Sequence, residues 1–227
     1  DTMNYTNLAR WIIPLAITRP LNIDNKTLSL FATMTFFVSE QLHVTAGLRR
    51  TEVDKDYMRP PGGGTNGPHA FDDFKLDFAH EADALASLVP DTYGENATLP
   101  SLMVQYFSDE NSMIYASYSD GFKSGGYEAL GVYKANRGSY GSEAVDAYEF
   151  GYKTSNDKMK MSANYFHSEY DGNQLSQYVY PDTGGVPYTT TSNIPSTNKG
   201  FELELSYLLT DSIIADLSFT TLDATYD

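Results

Sequence analysis

The 227-residue chain contains no cysteine, which removes disulfides, thiolate metal sites and cysteine nucleophiles together. It also lacks a long apolar run. The longest, Trp11 to Ile17, is broken by Pro14 and falls far short of the roughly 20 residues that a helical membrane span needs. Basic residues are few: 15 Lys and Arg stand against 30 Asp and Glu, a net charge of −15. None of these cations cluster, which argues against a nucleic-acid partner, because phosphate neutralisation needs a basic stripe. His43, His69, His80 and His167 are scattered without paired ligand spacing, so neither a dedicated metal site nor a bound cofactor is expected. The opening Asp-Thr-Met has no basic n-region and no apolar h-region, so it is not a secretory signal, and the chain is expected to begin within a longer protein.

What is present is a rhythm. Pairs of alternating apolar and polar runs meet at short turns, at Ser39-Glu40-Gln41, Ser108 to Asn111, Asn156-Asp157 and Thr210-Asp211. Long polar intervals, Asp56 to Ala97, Phe122 to Glu143 and Asp171 to Thr197, separate the pairs. In an up-and-down meander this places every short turn at one rim and every long loop at the other. Leu28 to Val38 and Leu42 to Arg49 alternate, although Phe31 and Phe37 spoil the first strand's polar face. Leu102 to Tyr106 and Ile114 to Ser119 alternate more weakly, then Asp146 to Lys153 and Met159 to Tyr165 follow the rule. In the last pair Phe201, Leu203, Leu205 and Tyr207 oppose Glu202, Glu204 and Ser206, and Ile213 to Thr220 alternates in turn. Residues 1–26 are not assigned beyond one short strand around Ala9 to Thr18.

Alternation alone suits a soluble β-sandwich equally well. Aromatic placement separates the two. Phe36, Tyr106, Tyr152 and Tyr207 all lie on the apolar face within a few residues of a short turn, where ring bodies meet hydrocarbon and polar tips meet headgroups. Transmembrane strands need only about 10 residues each with lipid on one side, so a hydrophobic content of 41% is compatible with membrane residence. The expected fold is all-β, a transmembrane antiparallel up-and-down barrel segment of about eight strands.

Chemistry-bearing patterns are sparse. His167-Ser168-Glu169 supplies a histidine, a hydroxyl and a carboxylate, but neighbours on a strand point to opposite faces and cannot converge as a triad. No catalytic residue is expected. Gly121, Gly125 and Gly126 follow a strand without an amphipathic helix behind them, which disfavours a phosphate loop. Pro60-Pro61-Gly62-Gly63-Gly64 reads as a loop tip. The acids between Asp56 and Glu95 read as a solvated loop surface. Glu149 and Lys153 share the polar face and are expected to stabilise the wall by pairing across strands.

Two stretches carry a family resemblance. Met113 to Glu128 read MIYASYSDGFKSGGYE, and Glu143 to Lys153 read EAVDAYEFGYK. Together they resemble the barrel of TonB-dependent outer-membrane receptors, in which a YxSYSxGFKSGG strand enters an extracellular loop and the next strand opens with PExxxxYExGxK. Ser142 stands where proline is usual, while Glu143, Tyr148, Glu149, Gly151 and Lys153 match. Asn198 to Glu204 resembles the family's (K/R)GxExE strand, and Leu222 to Asp227 its LDAxYD strand end. The resemblance runs from about Ser29 to Asp227.

The resemblance implies a barrel of about 22 strands around an N-terminal plug that carries the TonB box. Neither the plug nor the terminal aromatic is matched here, so residues 1–227 are expected to be a partial barrel domain. The implied function is TonB-energised uptake of a scarce solute across the bacterial outer membrane, with a ferric siderophore first and cobalamin or a glycan as other solutes. Partners are then outer-membrane lipid, the small-molecule ligand and the TonB complex, reached through the plug. Short turns face the periplasm and long loops the outside. Phe122, Lys123, Tyr127, Arg137 and Tyr140 are the expected ligand contacts. The competing class is a passive porin or a small structural barrel without a plug.

Overall fold

Strand-period alternation produces eight long antiparallel strands and two short ones. The computed structural model describes residues 22–58, 92–127, 139–179 and 188–226. In chain order the strands are β1 (Asn22–Phe37), β2 (Leu42–Met58), β3 (Thr92–Asp109), β4 (Ser112–Lys123), β5 (Gly126–Tyr127), β6 (Ser139–Tyr140), β7 (Glu143–Ser155), β8 (Met159–Val179), β9 (Tyr188–Thr210) and β10 (Ile213–Tyr226). The main sheet runs β1-β2-β3-β4-β7-β8-β9-β10, so each long strand pairs with its neighbour along the chain, and β5 pairs with β6 separately. This is the expected meander. Among the described residues no helix is long and apolar enough to cross a membrane.

The four short turns fall where the alternation breaks, and each is closed by its own side chain. Ser39 Oγ accepts from the Gln41 and Leu42 amides at 3.2 and 3.0 Å. Asp109 Oδ1 accepts from the Asn111 amide at 2.8 Å, and Asn156 Oδ1 from Lys158 and Met159 at 3.0 and 2.9 Å. Thr210 Oγ1 accepts from Ser212 at 3.3 Å. Short polar side chains that bond backbone a few residues on are what favour such residues at turns.

The long intervals are shorter than the sequence suggested. β2 continues to Met58 and β3 begins at Thr92; β8 continues to Val179 and β9 begins at Tyr188; β5 and β6 lie inside the remaining interval. The reason is that both faces become polar there, which erases the alternation while the ladder persists. Ser176–Thr191 and Gln177–Ser192 side chains bond across β8 and β9 at 3.0 and 3.3 Å, as polar cross-strand pairs do. The suggested strand at Ala9 to Thr18 lies outside the described residues.

The two faces differ as the alternation requires. A hollow of about 860 Å³ is lined by Phe107, Met113, Lys153, Ser162, Glu204 and Ser218, one residue from each of six strands, so the mostly polar face is the concave one. Leu28, Leu30, Phe150 and Phe219 point the other way and are 51–78% exposed. Among the described residues the only buried apolar side chains are Val53, Tyr115 and Tyr127. An exposed apolar belt of this extent around a sheet with almost no interior marks a surface that something apolar covers.

Hydroxyl pairs fix register on both faces: Thr35–Thr45 and Ser29–Thr51 at 3.0 Å on the concave one, Ser112–Thr154 at 3.1 Å on the other. Rings do the same over glycines. The Tyr115 ring lies where a Cβ on Gly151 would stand, 2.5 Å away, and the Phe166 ring lies 2.6 Å from a Cβ built on Gly200. Phe31 and Phe37 do face inward, and Phe37 and Phe107 flank His43 at ring distances of 4.7 and 4.8 Å.

Candidate functional site at the long-loop rim

Beyond the outward apolar belt the strands continue, and the chain between β4 and β7 leaves the wall. Pairing of β4 with β3 ends at Ser119↔Ser101, whereas pairing with β7 continues to Lys123↔Glu143. The next residues, Ser124 to Tyr127, turn over the concave face and are gripped there from two sides.

From one side come β2 and β3. The Gly125 amide donates to Glu95 Oε1 at 2.8 Å, the Lys55 ammonium donates to the Gly125 carbonyl, and the Tyr93 hydroxyl donates to Glu95 Oε2 at 2.7 Å. The Tyr93 and Tyr127 rings meet edge-on, with centroids 6.3 Å apart. Alternation dictates this convergence, since Lys55, Tyr93 and Glu95 all sit at inward positions of their strands. Only glycine fits at 125, because an added Cβ would lie 2.4 Å from the Tyr93 hydroxyl and 2.5 Å from the Tyr140 carbonyl.

From the other side come β8 and β9. Gln174 Nε2 donates to the Ser124 and Gly141 carbonyls at 3.0 Å each, and its amide donates to Glu143 Oε2 at 2.8 Å. Asn193 accepts from the Gly141 amide at 2.8 Å through Oδ1. Its Nδ2 donates to the carbonyls of Gly141, Ser142 and Gly172 at 3.0, 3.1 and 2.8 Å. Gly172 has φ of 72°, in a register break between Tyr170 and Asn173 that brings its carbonyl to Asn193. A left-handed residue in a bulge is a natural place for glycine.

Burial governs the electrostatics of this rim. It holds the Lys55 ammonium below its ordinary range, an effect that the Glu95 charge opposes. It pushes the Tyr93 phenol well above its ordinary range, and the hydrogen bond to Glu95 adds to the shift. Both effects follow from withdrawing water from the charged form, with the carboxylate favouring the cation and the neutral phenol.

The expected contact residues are distributed unevenly. Tyr127 is buried and Tyr140 half-buried, on paired β5 and β6, with the Tyr140 ring over Gly126. Lys123 is exposed at the end of β4. Phe122 lines a cleft between β3 and β4 instead of the rim. Arg137 lies outside the described residues. Lys55, Tyr93, Gln174 and Asn193 were not singled out from sequence, and Glu95, which reads from sequence as one acid of a solvated loop, instead lies on β3 and holds Gly125 and Tyr93. Strand parity marks Lys55, Tyr93 and Glu95 as inward, but nothing local shows that they grip a loop up to 70 residues away.

Glu149 and Lys153 do share the concave face, yet they do not pair directly. Tyr115 stands between them: its hydroxyl donates to Glu149, and Lys153 Nζ lies 5.0 Å from its ring centroid. On the convex face Tyr118, Tyr148 and His167 form a row with centroids 5.1 and 6.3 Å apart. His167 Nε2 lies 2.9 Å from Glu169 Oε1, and alternation turns Ser168 to the opposite face. Among the described residues no three His, Cys, Asp or Glu side chains are arranged to hold a metal.

The comparisons agree with this architecture. The family profile described as TonB dependent receptor-like, beta-barrel, matches residues 2–227. No curated protein matches the sequence. Solved structures with the same fold include the copper transporter OprC, with TM-score 0.71 and 16% identity over 90% of this chain and 30% of that one. The ferric yersiniabactin uptake receptor FyuA from Yersinia pestis superposes with TM-score 0.65 at 15% identity, over 91% of this chain and 28% of its own. The siderophore receptor PiuA from Acinetobacter baumannii gives 0.60 at 16% identity, over 90% and 26%. The chain thus spans less than a third of the length of these structures. The match across almost the whole sequence, on a meander with a polar concave face and an apolar convex one, places the chain in the TonB-dependent receptor family, within its β-barrel.

Proposed function

We propose that this chain forms part of the wall and outer rim of an outer-membrane receptor that takes up a ferric siderophore with energy supplied through TonB. The observation that carries the reading is the inturned segment Ser124 to Tyr127, held over the polar concave face by Lys55, Glu95 and Gln174. A passive pore gains nothing from a rim strapped across its mouth, whereas a receptor needs a shaped surface there. The exposed convex belt meets lipid, and the aromatic rows at its two margins meet headgroups. Ligand contact falls to Lys123 and Arg137, whose charge suits an anionic ferric complex, and to Tyr127, Tyr140 and Phe122. The naming of some structural relatives as siderophore receptors supports this choice of solute.

Uptake of a radiolabelled ferric siderophore by iron-starved cells tests the proposal. Uptake is expected to disappear when the gene is deleted and when the proton-motive force is collapsed. Entry that survives collapse of the proton-motive force sinks the active-transport reading in favour of a passive barrel.

A further inference from the structure

The wall opens where β4 parts from β3. Pairing stops at Ser101↔Ser119, and the residue that would continue it is Pro100, which has no N–H to give. Gly121, two residues beyond Ser119, brings no side chain to fill the seam. A cleft of about 400 Å³ remains there, lined by Leu99, Ser101, Gly121 and Phe122, with Arg49 and Thr51 of β2 beside them. Strand parity puts Arg49, Thr51, Leu99, Ser101 and Gly121 all on the concave face, so the cleft opens onto that face. At roughly 30 Å³ per water, it has room for a ligand of about a dozen heavy atoms.

Arg49 borders this cleft with most of its donors unused. Its Nε donates to Thr51 Oγ1 and its Nη2 to Ser29 Oγ, each at 3.2 Å, and those two hydroxyls bond each other at 3.0 Å. Thr51 is buried, so a fixed neutral frame pins the guanidinium along one edge. The other edge, formed by Nη1 and the second Nη2 proton, bonds nothing among the described residues. Nor does any carboxylate among them answer the charge. Asp120 borders the cleft, but alternation turns its side chain to the convex face, where the Tyr118 hydroxyl bonds it. Glu95, four residues along β3 from Leu99, is engaged by the Gly125 amide and the Tyr93 hydroxyl. Lys123 is exposed on the concave face two residues outward of Gly121, and its cross-strand neighbour Glu143 takes the Gln174 amide. Two cations thus flank one hollow. An open guanidinium edge is the shape that holds a carboxylate by two parallel hydrogen bonds.

We infer that this cleft binds a compact polycarboxylate, one carboxylate on the open edge of Arg49, a second reached by Lys123, and the carbon body between Leu99 and Phe122. Ser101, whose hydroxyl leans over Gly47 beside Arg49, donates to the first carboxylate. As the arm of a transported solute the ligand rests on the uptake proposal; as a free anion it does not.

The test uses the complete receptor in dodecyl maltoside and isothermal titration with tricarballylate, a compact tricarboxylate, and with its uncharged triamide. Tricarballylate is expected to bind roughly tenfold more tightly than the triamide, because charge-assisted bidentate contacts exceed neutral ones. Arg49→Gln abolishes that preference, while Arg49→Lys keeps the charge without the fork and retains only part of it. Leu99→Asp sets a carboxylate directly across from Arg49. That variant is expected to exclude tricarballylate while the triamide still binds, a selective loss that misfolding cannot imitate. A tricarballylate monoamide carrying a dansyl group separates the sources: binding equal to the free anion assigns the cleft to an arm of a larger solute, and no binding assigns it to a free anion. Equal affinity for the two probes in the parent, or an unchanged preference in Arg49→Gln, overturns the assignment. So does a lower unfolding temperature in Arg49→Gln without a change in binding, which gives Arg49 to a carboxylate of the receptor outside this chain. Uptake that survives collapse of the proton-motive force removes the active-transport reading alone, because these titrations read binding.

Discussion

The two rims of this sheet are closed by the same kind of bond, a polar side chain to backbone, but at different range. At the short-turn rim Ser39, Asp109, Asn156 and Thr210 bond backbone two or three residues on. At the long-loop rim Asn193, Gln174, Glu95 and Lys55 reach backbone 21 to 70 residues away. Local closure forms with the hairpin and shares its stability. Long-range closure forms only after the sheet is paired, and it can be released without unpairing the sheet. The short-turn rim is thus part of the wall, while the other is a separate layer laid over it, which suits a surface that must admit a ligand.

Substitutions that separate the layers test this. Gly125→Val has the largest expected effect, because the new side chain meets the Tyr93 hydroxyl and the Tyr140 backbone; overpacking of this kind costs about 3 kcal/mol. Limited proteolysis is expected to cut between Lys123 and Glu143 in the variant, with the heat-modifiable barrel band unchanged. Loss of that band places the inturned segment within the wall. Asn193→Ala comes next. It leaves the Gly141, Ser142 and Gly172 carbonyls without this donor, at about 2 kcal/mol. Faster hydrogen exchange at the Gly141 amide, which loses its acceptor, with β7 and β8 amides unaffected, is the expected signature. Asn156→Ala removes the acceptor for Lys158 and Met159, at about 1 kcal/mol. Here the loss appears in the unfolding midpoint of the whole barrel; exchange confined to the turn contradicts the idea that this rim belongs to the wall.

The same difference in range decides what could be read from sequence. The strands, their faces and the short turns were legible because each rests on neighbours: period-two alternation, a breaker, a side chain that bonds its own turn. The ends of the long strands were not, since at Ser176–Gln177 and Thr191–Ser192 both faces are polar and the ladder leaves no periodic trace. The Gly125–Gly126 motif pointed to the rim, but its partners Lys55, Glu95 and Gln174 are common residues whose role comes only from the register of distant strands. Phe122 reads from motif as a ligand contact, and it lines the seam because β4 stays paired with β7 as far as Lys123 while its pairing with β3 ends at Ser119.

The smallest effect concerns charge at a short turn. The Asn111 amide donates to Asp109 at 2.8 Å, and this bond holds the Asp109 carboxyl below its ordinary value of 3.8. With the folded value depressed, the unfolded chain binds more protons in the window just below pH 3.8, so stability rises with pH there. The turn's charge-assisted contribution is therefore complete above pH 3.8 and is lost as pH falls through the lower folded value. In the NMR spectrum of the micellar receptor, the Asn111 amide is expected to titrate with a midpoint below 3.8. Asp109→Asn keeps an acceptor but removes the charge, so its difference from the parent is expected at neutral pH and closes in acid. A difference that persists in acid means that turn geometry, not charge, closes this end. Protection of the Gly125 amide is expected to be the same in both proteins, because nothing at the short turn reaches the other rim.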